Sequence, residues 1–570
     1  MGYYPALRRS YASRSFNRTH IPSLPVYPVR LRSDETDEAP APEVSRLAIA
    51  GQYGVNLPLS AEIQCQHCPQ IDYRWWIDDE LVSEHDTLVL PAKHYGAPVR
   101  LEATVQGSPS APLAYVVYTP DVVMEIVGSE QAFAALKSSG EVVTWGHPLK
   151  GGDSSAVAHA LTDGVARLYR NEREGAFAAL KQDGSVVTWG RPESGGDSSA
   201  VATQLHSVQD ISSTQGSFSG SFAALRSDGS VVTWGKADKG GDSSHVAHQL
   251  ASDVVSITAS GSAFAALKAD GQVVAWKCPD CGFDGDVPRD ALHDLTAVEA
   301  NWTSFAALRA DGSVITWGQD DYGGDSSAVA EQLGDEVVKL YASFTAFAAL
   351  KSDGSVVSWG NPEGGGDQSR VAEQLRADVV RLVAGDSAFA AIKADNSVVT
   401  WGLDFLGGDS SAVASELAGG VEQIYTNRRA FVARKASGEL ILWGSHHAGG
   451  NHAERPEALE QGVSEVFTSD GSWGAFAALK ADGSLVVWGS HSGAGDSSEV
   501  AEQLSQGVQR VFATGKAFAA LKNDGEVTTW GSNNWCNGSG CPANNGQDSS
   551  QVHHRLAPQF VLTESSLTPP

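Results

Sequence analysis

Ala176-Phe-Ala-Ala-Leu-Lys-Gln-Asp-Gly-Ser-Val-Val-Thr-Trp-Gly190 recurs in ten close copies. The tryptophans that end the copies are Trp145, Trp189, Trp234, Trp276, Trp317, Trp359, Trp401, Trp443, Trp488 and Trp530, at spacings of 44, 45, 42, 41, 42, 42, 42, 45 and 42. A fixed period in this range marks a repeat architecture. Within the stretch, Ala176 to Leu180 predicts a strand and Ser185 to Trp189 its return. Asp183-Gly184 is the hairpin turn between them, because Asp and Gly tolerate positive φ. Both strands are apolar on both faces, so each must be covered on both sides. Sheets packed radially as blades meet that demand.

Downstream, Gly323-Gly-Asp-Ser-Ser-Ala-Val-Ala-Glu-Gln-Leu333 reads differently. Gly-Gly breaks the chain. Asp325 or Ser326 is a helix N-cap, and Val329 and Leu333 share one helical face. The expectation is one or two turns of helix, too short to stand alone, packed on the rim of a blade. Val337-Val-Lys-Leu340 then opens the next unit.

Around the repeats the composition changes. Residues 1–44 carry six arginines, an acidic run at Asp34–Glu38 and Ala-Pro pairs, and read as a disordered leader. Residues 45–120 hold short β-rich runs, among them Tyr73-Arg-Trp-Trp-Ile77, Val99–Val105 and Ala114–Tyr118, and predict a small immunoglobulin-like β-sandwich. The repeat domain spans 121–562, and 563–570 is a tail. Gln559-Phe-Val-Leu562 is a lone strand after the tenth hairpin, expected to complete the first blade beside Val122–Ile126.

Forty Lys plus Arg stand against 68 Asp plus Glu, a formal charge of -28. Such a surface repels phosphate backbones, so nucleic acid is excluded as a partner. No run approaches the ~18 apolar residues of a membrane span. The first 27 residues lack an apolar core, so no secretory signal peptide is expected. That leaves export by a non-classical route or a cytoplasmic location.

No Gly-x-Ser-x-Gly elbow, His-Glu-x-x-His motif or phosphate loop is present, and no enzyme is expected. Candidate binding residues are sought where copies depart from the consensus. The eighth copy has Arg434 in its strand and His446-His447 after it. The ninth carries Trp473 and the tenth Trp535. Trp302 and Trp473 read either as anchors or as satisfied blade-edge residues. The recurrent Gly-Gly-Asp aspartates, including Asp325, Asp367 and Asp409, read as turn or cap residues. The rival reading is calcium shared between loops. Cys65/Cys68, Cys278/Cys281 and Cys536/Cys541 form three local pairs: small disulfides, half zinc sites or free thiols.

The pattern of a Val-x-x-Ile strand, an Ala-Leu-Lys-x-Asp-Gly hairpin, a Val-x-x-Trp-Gly strand and a Val-x-x-x-Leu connector resembles the regulator of chromosome condensation superfamily of β-propellers, in its compact bacterial, β-lactamase-inhibitor form. The resemblance implies an all-β, ten-repeat propeller-like ring, with an open superhelix of blades as the alternative. It implies a non-enzymatic module for protein or glycan recognition, such as a bacterial adhesive, toxin-associated or host-directed virulence factor. An enzyme inhibitor, a structural spacer and, last, a hydrolase are the alternatives. The family has a polar residue before its Ala-Leu strand and seven blades; this chain has Phe177, Phe222 and Phe389 there, and ten copies.

Overall fold

The computed structural model describes residues 43–51, 53–68, 70–106, 114–171, 175–214, 220–277, 292–469, 474–490, 494–531, 549–550 and 552–566. The chain divides into two compact units. In the first, Val122–Ala557, one three-stranded antiparallel sheet is repeated ten times. The seventh repeat is representative, with strands Val379–Ala384, Ala388–Lys393 and Val398–Gly402. The hairpin turns are those expected from the sequence. In the second repeat Gly184 sits at φ 81°, and Asp183 Oδ1 accepts from the Ser185 backbone N–H at 2.9 Å and its hydroxyl at 2.6 Å.

Burial explains why the Ala-Phe-Ala-Ala strand barely varies. In the seventh repeat Ala388, Phe389, Ala390 and Ala391 are all 0% exposed. Side chains alternate between the faces of a strand. Phe389, Ala391 and Trp401 therefore pack on Ala346, Ala348 and Leu350 of the sixth repeat. Ala388, Ala390 and Ile392 receive Phe431, Ala433 and Trp443 of the eighth. Each junction thus sets a small face against a large one. Phe389 lies opposite Trp401 with the rings stacked at 5.2 Å.

The first strand of every repeat carries a bulge. In the sixth, the register jumps from Val337 to Lys339 and leaves Val338 unpaired. A bulge bends an edge strand and blocks pairing with a further strand. The sheets remain separate, and no sheet closes on itself. The first strands of successive repeats adjoin, and the tenth, Val508–Ala513, adjoins the first, Val123–Gly128. There Arg510 Nη1 donates to the Met124 carbonyl at 3.1 Å.

One expectation is met in a tighter form and one needs correction. The short helix expected at the Gly-Gly-Asp-Ser-Ser segment is present as 3-10 and not α helix, up to six residues long in Ser155–Ala160 and Ser199–Gln204. Ser327–Val329 is a single 3-10 turn. Val329 N–H bonds Ser326 O at 3.0 Å, and Leu333 N–H reaches Val329 O at 3.1 Å. The segment is too short to propagate an α-helix. The Ser327 N–H is met by the Asp325 side chain at 2.8 Å, while Leu333 O takes the Val314 N–H of the third strand at 3.0 Å.

The final strand is also placed differently. Gln559–Ser566 pairs with Ala114–Asp121, with Gln559 opposite Asp121, and not with the first repeat. That repeat already has three strands of its own, while Ala114–Asp121 offers an open edge. The second unit therefore comprises a five-stranded sheet that includes Gln559–Ser566 and a three-stranded sheet of Glu43–Gly51, Pro58–Gln66 and Thr87–Val89. Its core holds Trp75, 0% exposed, whose indole N–H donates to His85 O at 2.9 Å. Cys65 and Cys68 are joined by a disulfide, which removes the thiol and zinc readings at that pair.

Candidate binding face

In each repeat, the turn between the first and second strands lies at the same end of the sheet as the segment leaving the third. Backbone bonds join them: Asn361 N–H to Thr345 O at 3.1 Å, Leu403 N–H to Ser387 O at 2.8 Å, and Ser445 N–H to Arg429 O at 2.9 Å. A buried polar side chain anchors most of these turns; the seventh repeat has Gly385 at that position, whose backbone N–H donates to Ala388 O at 2.8 Å. Asn427 accepts from Ala430 N–H at 3.0 Å and donates to Ala448 O at 2.7 Å. Asn301 does the same with Ser304 N–H at 2.8 Å and Tyr322 O at 2.6 Å. Ser343 donates to Gly364 O at 2.8 Å. These groups are buried, so losing their partners is costly, and the turns are held in one geometry.

The turns of the fourth to eighth repeats are linked to one another. Gly261 N–H donates to Trp302 O at 3.0 Å, Trp302 N–H to Phe344 O at 3.3 Å, Phe344 N–H to Asp386 O at 2.9 Å, and Asp386 N–H to Arg428 O at 2.7 Å. One residue from each repeat stands in this row. Trp302 and Phe344, both half-buried, lie in contact with centroids 4.5 Å apart and their planes tilted by 32°. Arg428 follows with φ 81°, a left-handed conformation uncommon for a side-chain-bearing residue. At the same end, exposed apolar residues follow the third strands: Leu149, 76% exposed, and Phe405, 66%. Each borders a groove between adjacent repeats. The groove at Phe405 is about 860 Å³ and includes Pro362, Arg370 and Trp401. The one at Leu149 is about 1020 Å³ and includes Pro148, Val187 and Trp189.

His446 and His447 lie exposed on this face, in the 3-10 turn His446–Ala448. Arg434 does not join them. It takes the place of the usual Leu at the far end of the second strand, opposite Leu440, and pairs with Glu422 at 2.9 Å. Four residues of strand separate that end from Ala430 beside Gly444, about 14 Å. Trp473, Trp535, Cys278, Cys281, Cys536 and Cys541 lie outside the described residues, as do 1–42 of the leader and 567–570 of the tail. Trp302 was named from the sequence, as an anchor or a satisfied blade-edge residue, but Phe344 and the row they belong to were not. The row's signal was there, as the residue following the Ser, Thr or Asn, or Gly385 in the seventh repeat, that precedes the Ala-Phe strand.

Asp325, Asp367 and Asp409 each accept a backbone N–H two residues on, from Ser327, Ser369 and Ser411, at 2.8 Å. That N–H first, then the serine hydroxyl, holds each carboxyl below its ordinary value. Among the described residues no group of three or more His, Cys, Asp or Glu could hold a metal ion. A depressed carboxyl adds stability that is present above the unfolded Asp value, about 3.9, and is lost as pH falls through the lower folded value. The variant Asp325→Asn/Asp367→Asn/Asp409→Asn is therefore expected to melt below the parent at neutral pH, by a small margin because the groups are exposed. The margin should close as pH falls below the unfolded value and through the lower folded one. Melting curves across that range check it, and a margin that widens in acid would contradict the turn role.

No protein-family model matches this chain, and no curated protein sequence does. Among solved structures, it is similar to Prp20p from Saccharomyces cerevisiae, described with its binding to Gsp1p and histones. That match is 18% identical over 44% of this chain and 75% of that one, with a TM-score of 0.28. The CRINKLY WD40 ectodomain of the Arabidopsis thaliana receptor kinase ACR4 matches at 18% identity over 47% and 93%, TM-score 0.26. The computationally designed Ika8 protein matches at 14% over 57% and 96%, TM-score 0.26. The likeness is a distant one, to β-propeller proteins of the RCC1 and WD40 type.

Proposed function

We propose that this chain is a non-catalytic protein-binding module whose ten repeats close into one propeller-like ring, with the Trp302–Phe344 face as its recognition surface. The carrying observation is the row of turns from Gly261 to Arg428, bonded backbone to backbone across five repeats. It presents a contacting aromatic pair on a surface that loses little freedom on binding, and preorganisation of that kind lowers the cost of association. Aromatic side chains in such positions are the usual anchors of protein interfaces. Leu149 and Phe405 add exposed apolar area at the same end. A rigid face of this kind suits an inhibitor that caps an enzyme. The two-sheet unit, read as immunoglobulin-like, is an appended module.

The test is affinity capture with the full chain against protein fractions, beside a glycan array, comparing the parent with Trp302→Ala/Phe344→Ala. The double variant is expected to lose at least about 2 kcal/mol of binding, roughly thirtyfold. Its melting transition should remain, because both rings are half-exposed. Binding that survives the change would remove this face. Capture of glycans alone would replace protein recognition with an adhesive role, and no capture at all would favour a spacer.

A further inference from the structure

We infer that the tenth repeat is fastened to the first by a clasp of complementary charge, cationic on the tenth side and anionic on the first, which selects closure within one chain. The inference rests on the closed-ring reading and adds what holds the ring shut. Propeller-like arrays need a device at the junction of their ends, and the strand after the tenth repeat pairs elsewhere.

Three contacts cross the junction, one at each level. On the first strands, Arg510 Nη1 donates to Met124 O at 3.1 Å. The Glu125 carboxyl beside it is pushed up by burial and drawn back chiefly by Arg510, with Arg170 and Arg167 adding to the pull. Glu465 of the ninth repeat is also pushed up by burial and drawn back by Arg510. Arg510 thus acts on both carboxyls. At the turns, Lys516 Nζ lies 2.7 Å from Glu130 Oε1, with the lysine side chain only 4% exposed. On the hairpin side, Arg555 donates to Glu141 Oε1 from Nε at 3.2 Å and Nη2 at 2.8 Å, and reaches Val142 O at 3.4 Å.

The sign is one-sided: Arg510, Lys516 and Arg555 come from the end of the array, and Glu125, Glu130 and Glu141 from its beginning. Single contacts of this kind recur elsewhere, Arg381 donating to Glu422 O at 2.8 Å between the seventh and eighth repeats and Arg370 pairing with Asp404 at 2.8 Å between the sixth and seventh, but at the tenth-to-first junction three stand together. Seven connectors share the Val-Ala-x-x-Leu form, and where Arg555 stands in the tenth they carry Ala, Gln or Glu. Between the fourth and eighth repeats the turns meet through backbone bonds. Apolar faces so alike would pack one repeat on any other. Charge of opposite sign at the two ends gives the first repeat one preferred partner, as electrostatic complementarity does at interfaces.

The test uses full-length chains: R510E/K516E/R555E, E125R/E130K/E141R, and all six changes together. Sedimentation velocity gives shape and mass, and hydrogen exchange reads the Met124–Gly128 amides. Each three-residue reversal should sediment more slowly than the parent, with exchange at Met124–Gly128 faster by about tenfold or more. The six-residue swap should return both towards parental values. Mixing the two half-reversed chains should yield a two-chain particle, since each then carries the charge the other lacks. Should the half-reversed chains fail to fold, the parent itself decides. Its Met124–Gly128 exchange should rise between about 0.1 M and 1 M salt, as the Debye length shrinks from about 10 to 3 Å, while other first strands stay protected. A parent that sediments as an extended particle defeats the ring and the clasp together. A closed parent whose folded half-reversed variants are equally closed, or whose junction exchange ignores salt, defeats the clasp and leaves the ring.

Discussion

Phe389→Ala is expected to destabilise the repeat unit by about 3–5 kcal/mol, the range for truncating a fully buried phenylalanine. Three features place it at the upper end. The ring is 0% exposed. It stacks on Trp401 of its own sheet at 5.2 Å. Across the junction it meets Ala346 and Ala348, which have no side chain to swing into the space. Both walls are strand backbone locked into ladders, so the cavity cannot collapse. Repeats contact mainly their neighbours, and the loss falls on one junction. Urea unfolding should therefore show a lower midpoint together with a shallower slope, as the array splits between the sixth and seventh repeats. Val380→Ala is the control. Val380 stands on the bulge, 56% exposed, and should cost within about 0.5 kcal/mol. Equal losses for the two would refute the two-faced packing.

The repeated strands were legible because every copy states the same constraint. Phe and Trp recur wherever a small Ala face of the preceding repeat awaits them, so the period and the hairpin emerge from residue type alone. The connector was less legible. Asp325 and Val329 satisfy a helical template, yet the local pattern does not say that Leu333 O is needed by the Val314 N–H of the sheet. The partner of Gln559–Ser566 was not legible either. A short apolar strand fits any open edge, and the choice of Ala114–Asp121 depends on which edges remain free.

At the candidate face, departure from consensus was an uneven guide. It found His446 and His447, which are exposed there. It also drew in Arg434, whose departure is compensated locally by Glu422 on the adjacent strand. It passed over Phe344 because one position varies in every repeat and so has no consensus to break. What marks the row is the chemistry behind most of its turns: the buried Asn301, Ser343 and Asn427, with Gly385 in their place in the seventh repeat.

The first glycine of each Gly-Gly-Asp segment yields the second large effect. Gly365 sits at φ 97°, and a Cβ there would lie 2.6 Å from Phe389 Cδ2 of the next repeat. Its carbonyl also accepts the Trp401 indole N–H at 3.0 Å. The same bond recurs from Trp189 to Gly151, Trp234 to Gly195 and Trp443 to Gly407. Trp317 makes no such bond among the described residues; the repeat before it has lost Gly-Gly-Asp. Gly365→Ala thus meets two penalties, about 1–3 kcal/mol of backbone strain and about 1–3 kcal/mol from forcing Phe389 aside. Gly420→Ala separates them. Gly420 has φ 76°, but a Cβ there meets nothing within 4 Å, so it should show the strain alone. The difference between the two variants, read from urea midpoints at equal slope, measures the contact with the ring. Phe389→Leu should then cost less in the Gly365→Ala background than in the parent, because the smaller side chain admits the new methyl group; neighbours in contact are not additive. If the two costs simply sum, Gly365 is required for its backbone angle and not for the closeness of the next repeat.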